Sequence, residues 1–302
     1  MPADTSCITL CGPWTHRKIQ ANGAQFHAAY AGEHRDDRPL VLLVHGFPQY
    51  WWAWRHQISA LAQAGYEVAA IDQRGIGGSD KTPNSEDGLT LTQDLIAIVQ
   101  ALGARKAVLV GLGRGGAFSW SAVSMKQDLF SGLVTVSSPH PRTLHRIGTH
   151  VTFKTWQQVL GTLVPPMGRK NLRDPQSVRQ LLTRWSAPGN DGAASQWEIY
   201  SQALQLPGAA QIAVDQLRWT WRAQRNPTGR RYLREAANTV YIPVLAVRGE
   251  LDPFLPDRAW NKDWEFAGGP YRKVRVSDAG HFVPEEQPEV FNRILLNFLA
   301  GL

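Results

Sequence analysis

Cysteine is nearly absent: Cys7 and Cys11 are the only two in 302 residues. Both sit near one end, so no disulfide framework spans the chain, and no partners complete a zinc-ligand spacing. Two unpaired thiols are the expectation. No run of about 18 apolar residues occurs, which excludes a membrane-spanning helix. Asp4 comes early and no basic-then-apolar leader follows it, so a cytoplasmic protein is expected. Dense blocks of lysine or arginine are missing too, although the net charge is +7. The excess is concentrated in residues 141–240, with 14 Lys/Arg against five Asp/Glu, a net +9 that leaves −2 for the rest. Scattered arginines without a nucleic-acid motif fit a solvated helical surface, with an anionic substrate or anionic lipid surface as the functional alternative. No nucleic acid, metal or cofactor is expected, only a small-molecule ligand.

Short, mainly apolar runs at 40–44, 68–71, 107–110, 133–136 and 244–247 are suited to buried strands, and 273–276 reads as a final strand. Helical spacing at 58–64, 91–102 and 288–302 alternates with them, Thr90 being the expected N-cap of the second. Strand–helix alternation implies right-handed crossovers and a parallel sheet. Asn22-Gly23, within short alternating stretches, marks an antiparallel hairpin at the sheet edge. From about 142 to 238 the strands stop, and helical segments carry Trp156, Trp185, Trp197, Trp219 and Trp221. This predicts a sheet domain formed by 1–138 and 241–302 with a helical cap at 139–240. Tryptophans there suit helix packing or a cavity lining.

One further absence matters most. The stretch 105–121, RKAVLVGLGRGGAFSWS, reads as strand, glycine-rich sharp turn, helix. That is the frame of a nucleophile elbow, in which the middle residue is pushed out above the sheet. The middle residue is Gly113, which has no side chain to attack anything. The same glycines allow a second reading, since Gly111, Gly113 and Gly116 match the spacing of a dinucleotide fingerprint. That motif calls for an acidic residue about 20 positions on, at the end of the next strand. Asp128 is too early, and the next strand ends in Ser137-Ser138.

Taken together, His45-Gly46-Phe47-Pro48, Asp72-Gln73-Arg74-Gly75 with Gly78-Ser79-Asp80, the elbow, Pro139-His140-Pro141, Gly249-x-x-Asp252 and Gly280-His281-Phe282 with Glu285-Glu286-x-Pro288 span nearly the whole chain. In order and spacing the chain resembles the α/β-hydrolase family, in its epoxide hydrolase and haloalkane/haloacetate dehalogenase branch. The resemblance implies an α/β-hydrolase fold, a mostly parallel sheet with an inserted helical cap. It implies an oxyanion hole from the backbone N–H groups of Phe47 and Arg114, and His281 as general base oriented by Asp252. It places His45, Arg114, Trp120, Trp156 and Trp185 as candidate substrate contacts. Arg114 follows the elbow where haloacetate dehalogenases carry an arginine able to hold a substrate carboxylate. The branch carries an Asp where this chain has Gly113, usually preceded by His, where this chain has Leu112.

Three readings of Gly113 stand. The protein is a non-catalytic descendant that keeps its pocket to bind an apolar or anionic ligand, the glycine having relaxed a strained position. Alternatively, Asp252 and His281 act on water directly, as a hydrolase without a covalent intermediate. Or the glycine is an introduced substitution, against which Leu112 argues, since it also departs from the pattern. Ser119, Ser121, Ser137 and Ser138 are the hydroxyls near enough in sequence to replace the nucleophile.

Overall fold

Runs that are apolar at every position must be covered on both faces. The computed structural model, which describes residues 5–83, 85–143, 164–253, 260 and 262–302, covers them with two helical layers. Eight strands make one sheet: β1 (Thr15–Ala21), β2 (Ala24–Ala31), β3 (Leu40–Val44), β4 (Val68–Ile71), β5 (Ala107–Leu112), β6 (Phe130–Val136), β7 (Val244–Gly249) and β8 (Tyr271–Val276). Their spatial order is β1-β2-β4-β3-β5-β6-β7-β8. The β1–β2 and β2–β4 pairs are antiparallel, and every pairing from β4 to β8 is parallel.

Side chains alternate faces along a strand, and the core divides accordingly. Val41, Leu43, Val108, Val110, Val134 and Val136 pack on one side with α1 (Arg55–Gln63) and the C-terminal helix. Leu40, Leu42, Val44, Leu109 and Leu133 pack on the other with α2 (Gly88–Ala101) and α3 (Arg114–Met125). Asn22 and Gly23 turn the β1–β2 hairpin with φ of 44° and 71°, the paired positive angles that suit a tight hairpin. The α2 helix starts earlier than the spacing predicts. Asp87, not Thr90, is the N-cap; its carboxylate accepts the Leu89 N–H at 3.0 Å, and Thr90 lies inside the first turn.

Between β6 and β7 every described element is helical: α4 (Pro165–Arg173), α5 (Pro175–Trp185), α6 (Trp197–Gln205), α7 (Ala209–Arg222) and α8 (Pro227–Glu235), with short 3-10 turns between them. Buried residues of this segment, among them Leu182, Trp185, Tyr200 and Val214, continue the first core layer. After β8 come a short helix α9 (Val283–Glu286) and α10 (Pro288–Leu299), which buries Phe291, Leu295 and Leu299 on one stripe. No helix among the described residues is long and apolar enough to cross a membrane.

The ends of β3, β4, β5, β7 and β8 come together at the carboxyl edge of the parallel sheet, where such sheets hold ligands. The turn from β5 into α3 lies at its centre and packs against β3. A Cβ added at Gly115 would fall inside 3.0 Å of the carbonyl oxygens of Val44 and His45, and one at Gly116 inside 3.0 Å of Ser138. Backbone cannot yield as a flexible side chain does. Gly115→Ala is therefore expected to cost about 2 kcal/mol or more, the range of core overpacking, measurable as a lowered midpoint in urea denaturation.

Candidate active site

Gly113 joins β5 to α3 at φ 52°, ψ −119°, a backbone state that L side chains rarely adopt. Its N–H is held by the Val136 carbonyl at 2.8 Å, which ties the turn to β6. A Cβ built on Gly113 would stand 3.3 Å from Nε2 of His281 and 3.9 Å from the Gly46 Cα. The imidazole thus faces the place where a nucleophile's side chain would begin. On its other side, Nδ1 of His281 lies 3.0 Å from Oδ2 of Asp252. Both residues are buried, at 4% and 8% exposure. The carboxylate accepts the Nδ1 hydrogen, so the Nε2 lone pair is the one turned toward the elbow.

His281 is seated from several sides. Its N–H donates to the Trp185 carbonyl at 2.8 Å, and the Trp185 ring meets its imidazole edge-to-face at 5.3 Å. Glu286 accepts the N–H groups of Gly280 and Phe282, the residues on either side of His281, at 2.7 and 2.8 Å. The same carboxylate accepts the Ala187 N–H, just past the end of α5, at 2.7 Å. Glu285 binds Arg55 at 2.5 Å, the Tyr200 hydroxyl at 2.7 Å, and Gln49. Composition and spacing assign these glutamates no part in the site. They look like a helix start followed by Pro288, and only the fold reveals that both are buried acceptors.

Phe47 and Arg114 flank the elbow. The loop holding Phe47 abuts the β5–α3 turn through Gly46, and the Phe47 ring lies 6.1 Å from Trp185. As the first residue of α3, Arg114 has a backbone N–H without a partner inside the helix. Its side chain is 8% exposed, lies over Phe118, and leaves Nε and Nη1 buried without a hydrogen-bond partner. Burial pushes the guanidinium down to about 9, still charged at neutral pH.

His45 and Trp120, expected as ligand contacts, are both engaged by the chain itself. Both ring nitrogens of His45 are engaged by the chain, Nδ1 with the Gly46 carbonyl at 2.8 Å and Nε2 with the Gln73 N–H at 3.1 Å. Full burial pushes this imidazole down to about 4, and it shapes the loop as a neutral ring. Trp120 lies six residues past Arg114, about 9 Å along the helix axis. It packs in the second core layer, edge-on to His140 and Tyr271. Trp185 is brought to His281; Trp156 lies outside the described residues. Among the serines, Ser119 and Ser121 donate to the carbonyls of Gly115 and Ala117 in their own helix. Ser138 packs against Gly116, and Ser137 follows β6 at φ 47° with a buried hydroxyl that makes no hydrogen bond.

Known proteins share this fold. Residues 39–288 match the family profile of the alpha/beta hydrolase fold. The chain is 31% identical to Epoxide hydrolase A of Mycobacterium tuberculosis (strain ATCC 25618 / H37Rv), over 96% of this chain and 99% of that one. It is 29% identical to Epoxide hydrolase 3 of Xenopus tropicalis, over 98% and 81%. Among solved structures, epoxide hydrolase A from Mycobacterium thermoresistibile superposes with a TM-score of 0.80 at 27% identity, over 96% of this chain and 99% of that one.

Removing the Glu286 carboxylate leaves three buried N–H groups without an acceptor. Glu286→Ala is expected to lose about 3 kcal/mol or more, since each buried donor left unpaired costs about 1–3 kcal/mol. Glu286→Gln keeps one oxygen and should lose less. Chemical denaturation of the two variants beside the parent checks the ranking.

Proposed function

The chain belongs to the α/β-hydrolase fold family, among its epoxide-hydrolase-like members, and on that premise we propose that it hydrolyses a small molecule by a dyad, Asp252–His281, acting on water without a covalent nucleophile. The observation that carries this reading is the 3.3 Å between Nε2 of His281 and the position of the missing Gly113 Cβ. The attacking water on this reading hydrogen-bonds to Nε2 from beside the Gly113 Cα, because the Cβ position itself is only a bond length from Cα. On this reading the water gives a proton to Nε2 while its oxygen attacks the electrophilic carbon of the substrate. The substrate's carbon–oxygen bond breaks, and the charge on its oxygen meets the N–H groups of Phe47 and Arg114. The imidazolium, stabilised by Asp252, returns the proton to that oxygen, so one water is added across one bond. The helical segment, taken as a cap over 139–240, contributes Trp185 to the wall beside His281, with Trp156 as a further candidate. The chemistry calls for no metal or cofactor.

The specific observation that favours a second reading is Arg114. A buried cation with unpaired donors is costly, and no carboxylate among the described residues pairs with it. A small anionic ligand would satisfy it, whether as substrate or as the bound molecule of an inactive pseudohydrolase.

Purified protein assayed on epoxides, haloacids and aryl esters, beside Gly113→Asp and His281→Ala, tests the first reading. Parent turnover that drops about 10²- to 10⁴-fold in His281→Ala is expected, the usual worth of a general base. A silent parent with an active Gly113→Asp variant would replace the water mechanism by the binding role. For the second reading, calorimetric titration with small carboxylates should show affinity falling at least about tenfold in Arg114→Met, the loss of one charge-assisted hydrogen bond.

A further inference from the structure

Apart from the chemistry just proposed, two histidines of the N-terminal hairpin and Asp72 after β4 form a row of three ionisable groups. Nδ1 of His16 on β1 faces Nε2 of His27 on β2 at 2.9 Å, with the two rings within 18° of parallel. Nε2 of His16 lies 3.0 Å from the Leu10 carbonyl. Nδ1 of His27 lies 2.8 Å from Oδ2 of Asp72, in the loop after β4. Asp72 also accepts the N–H groups of Trp51 and Gly78, each at 2.9 Å.

Counting protons along this row gives a definite result. A carbonyl only accepts, so Nε2 of His16 carries a hydrogen. The His16–His27 contact needs one hydrogen between two nitrogens, and the His27–Asp72 contact needs another. Two neutral imidazoles and a carboxylate hold only two hydrogens, whereas the three contacts need three. With none to spare the row lacks one bond; with a fourth proton, two N–H groups face each other across 2.9 Å.

We infer that His16, His27 and Asp72 share one obligatory proton, and that this proton latches the N-terminal segment onto the loop that follows β3. The segment is docked there by its carbonyls: Cys7 accepts the Tyr50 hydroxyl at 2.7 Å and Ile8 accepts the Trp51 indole N–H at 2.8 Å. Trp14 and His16 stand edge-on to the Trp51 ring at 5.4 and 5.2 Å. Asp72 holds Trp51 from below through its backbone, so the row joins the hairpin, the segment and the end of the Phe47 loop.

The surrounding charges are few. His45 at the end of β3 lies near Asp72 and stays neutral through burial. Lys81 and Asp80 come from the loop after β4, the latter accepting the Gln25 N–H. Lys18 on β1 reaches the Gly78 carbonyl; Tyr50 faces Asp72, with Cys7 beyond it. Burial alone would raise Asp72, but the hydrogen bond and charge of His27, then His45 and the Gly78 N–H, outweigh it and hold the carboxyl below its ordinary range. Burial lowers His16, and nearby His27 lowers it further, against the Leu10 carbonyl and Asp72, which raise it. Both directions favour a neutral His16 and an ionised Asp72 at the two ends of the row.

The signs follow. A histidine lowered in the folded state contributes fully above its ordinary 6.5 and loses that contribution as pH falls through the lowered value. A row left with only two hydrogens keeps only two of its three bonds, so attachment weakens whichever way the count departs from three. This latch does not rest on the hydrolase reading.

Two measurements on the full chain test it. Nitrogen-15 NMR of the imidazoles should show, near neutral pH, one doubly protonated ring and one neutral ring in this pair. Amide exchange of the β1–β2 hairpin, corrected for intrinsic rates, should show protection peaking at intermediate pH and falling at least about tenfold on both sides, the worth of one charge-assisted hydrogen bond. His16→Phe, which keeps a ring against Trp51, should abolish the peak. Two neutral imidazoles near neutral pH, or the same protection profile in parent and His16→Phe, would overturn the latch. The NMR result stands even if the variant fails to fold.

Discussion

Three backbones meet where β5 turns into α3, and only glycine lets them. Methyl groups at Gly111, Gly115 or Gly116 would press within 3.0 Å of main-chain or Ser138 atoms. That close approach brings the end of β3, with Gly46 and Phe47, against the helix start. It also anchors Gly113 to Val136 on the neighbouring strand. The position of every candidate group is measured from this junction: the N–H groups beside it, the imidazole above it, the guanidinium behind it. Had the contact been looser, the 3.3 Å gap to His281 would have no fixed meaning.

Gly113 is the exception at its own junction, because no backbone crowds it. Its demand is conformational, the positive φ, and its one close neighbour is a functional side chain, His281. Glycine here holds the sharp turn without adding a side chain to it. Arg114, one position on, adds a charge that burial isolates and no described acid answers. A bare turn, an imidazole hydrogen-bonded to a carboxylate and an unanswered cation are what the proposed chemistry has to work with.

The sheet was legible because doubly buried strands are apolar at every position. The runs at 40–44 and 68–71 coincide with β3 and β4 to the residue, whereas β6 and β8 begin earlier than 133 and 273, at Phe130 and Tyr271. Ser131 and Gly132 interrupt the pattern at the start of β6, and Arg272 does so in β8, which is not buried on both faces. The Asp252–His281 contact was legible as an order of loops along the chain. Other features were not. His45 and Trp120 have the chemistry of ligand contacts, and only tertiary packing shows one ring spent on Gly46 and Gln73 and the other sunk beside His140. Asp87 outcompeted Thr90 as a cap because its carboxylate reaches Leu89 N–H one turn earlier. Glu286 gathers donors from two places nearly a hundred positions apart, and no local pattern carries that information.

The Glu286 junction has a mechanical corollary. One carboxylate grips both the loop of His281 and the chain just beyond α5, and the Trp185 carbonyl grips His281 itself. Lifting the 185–187 corner away from the sheet would unseat the imidazole from two of its moorings at once. That corner is therefore a brace: so long as it stays seated, the imidazole stays aimed.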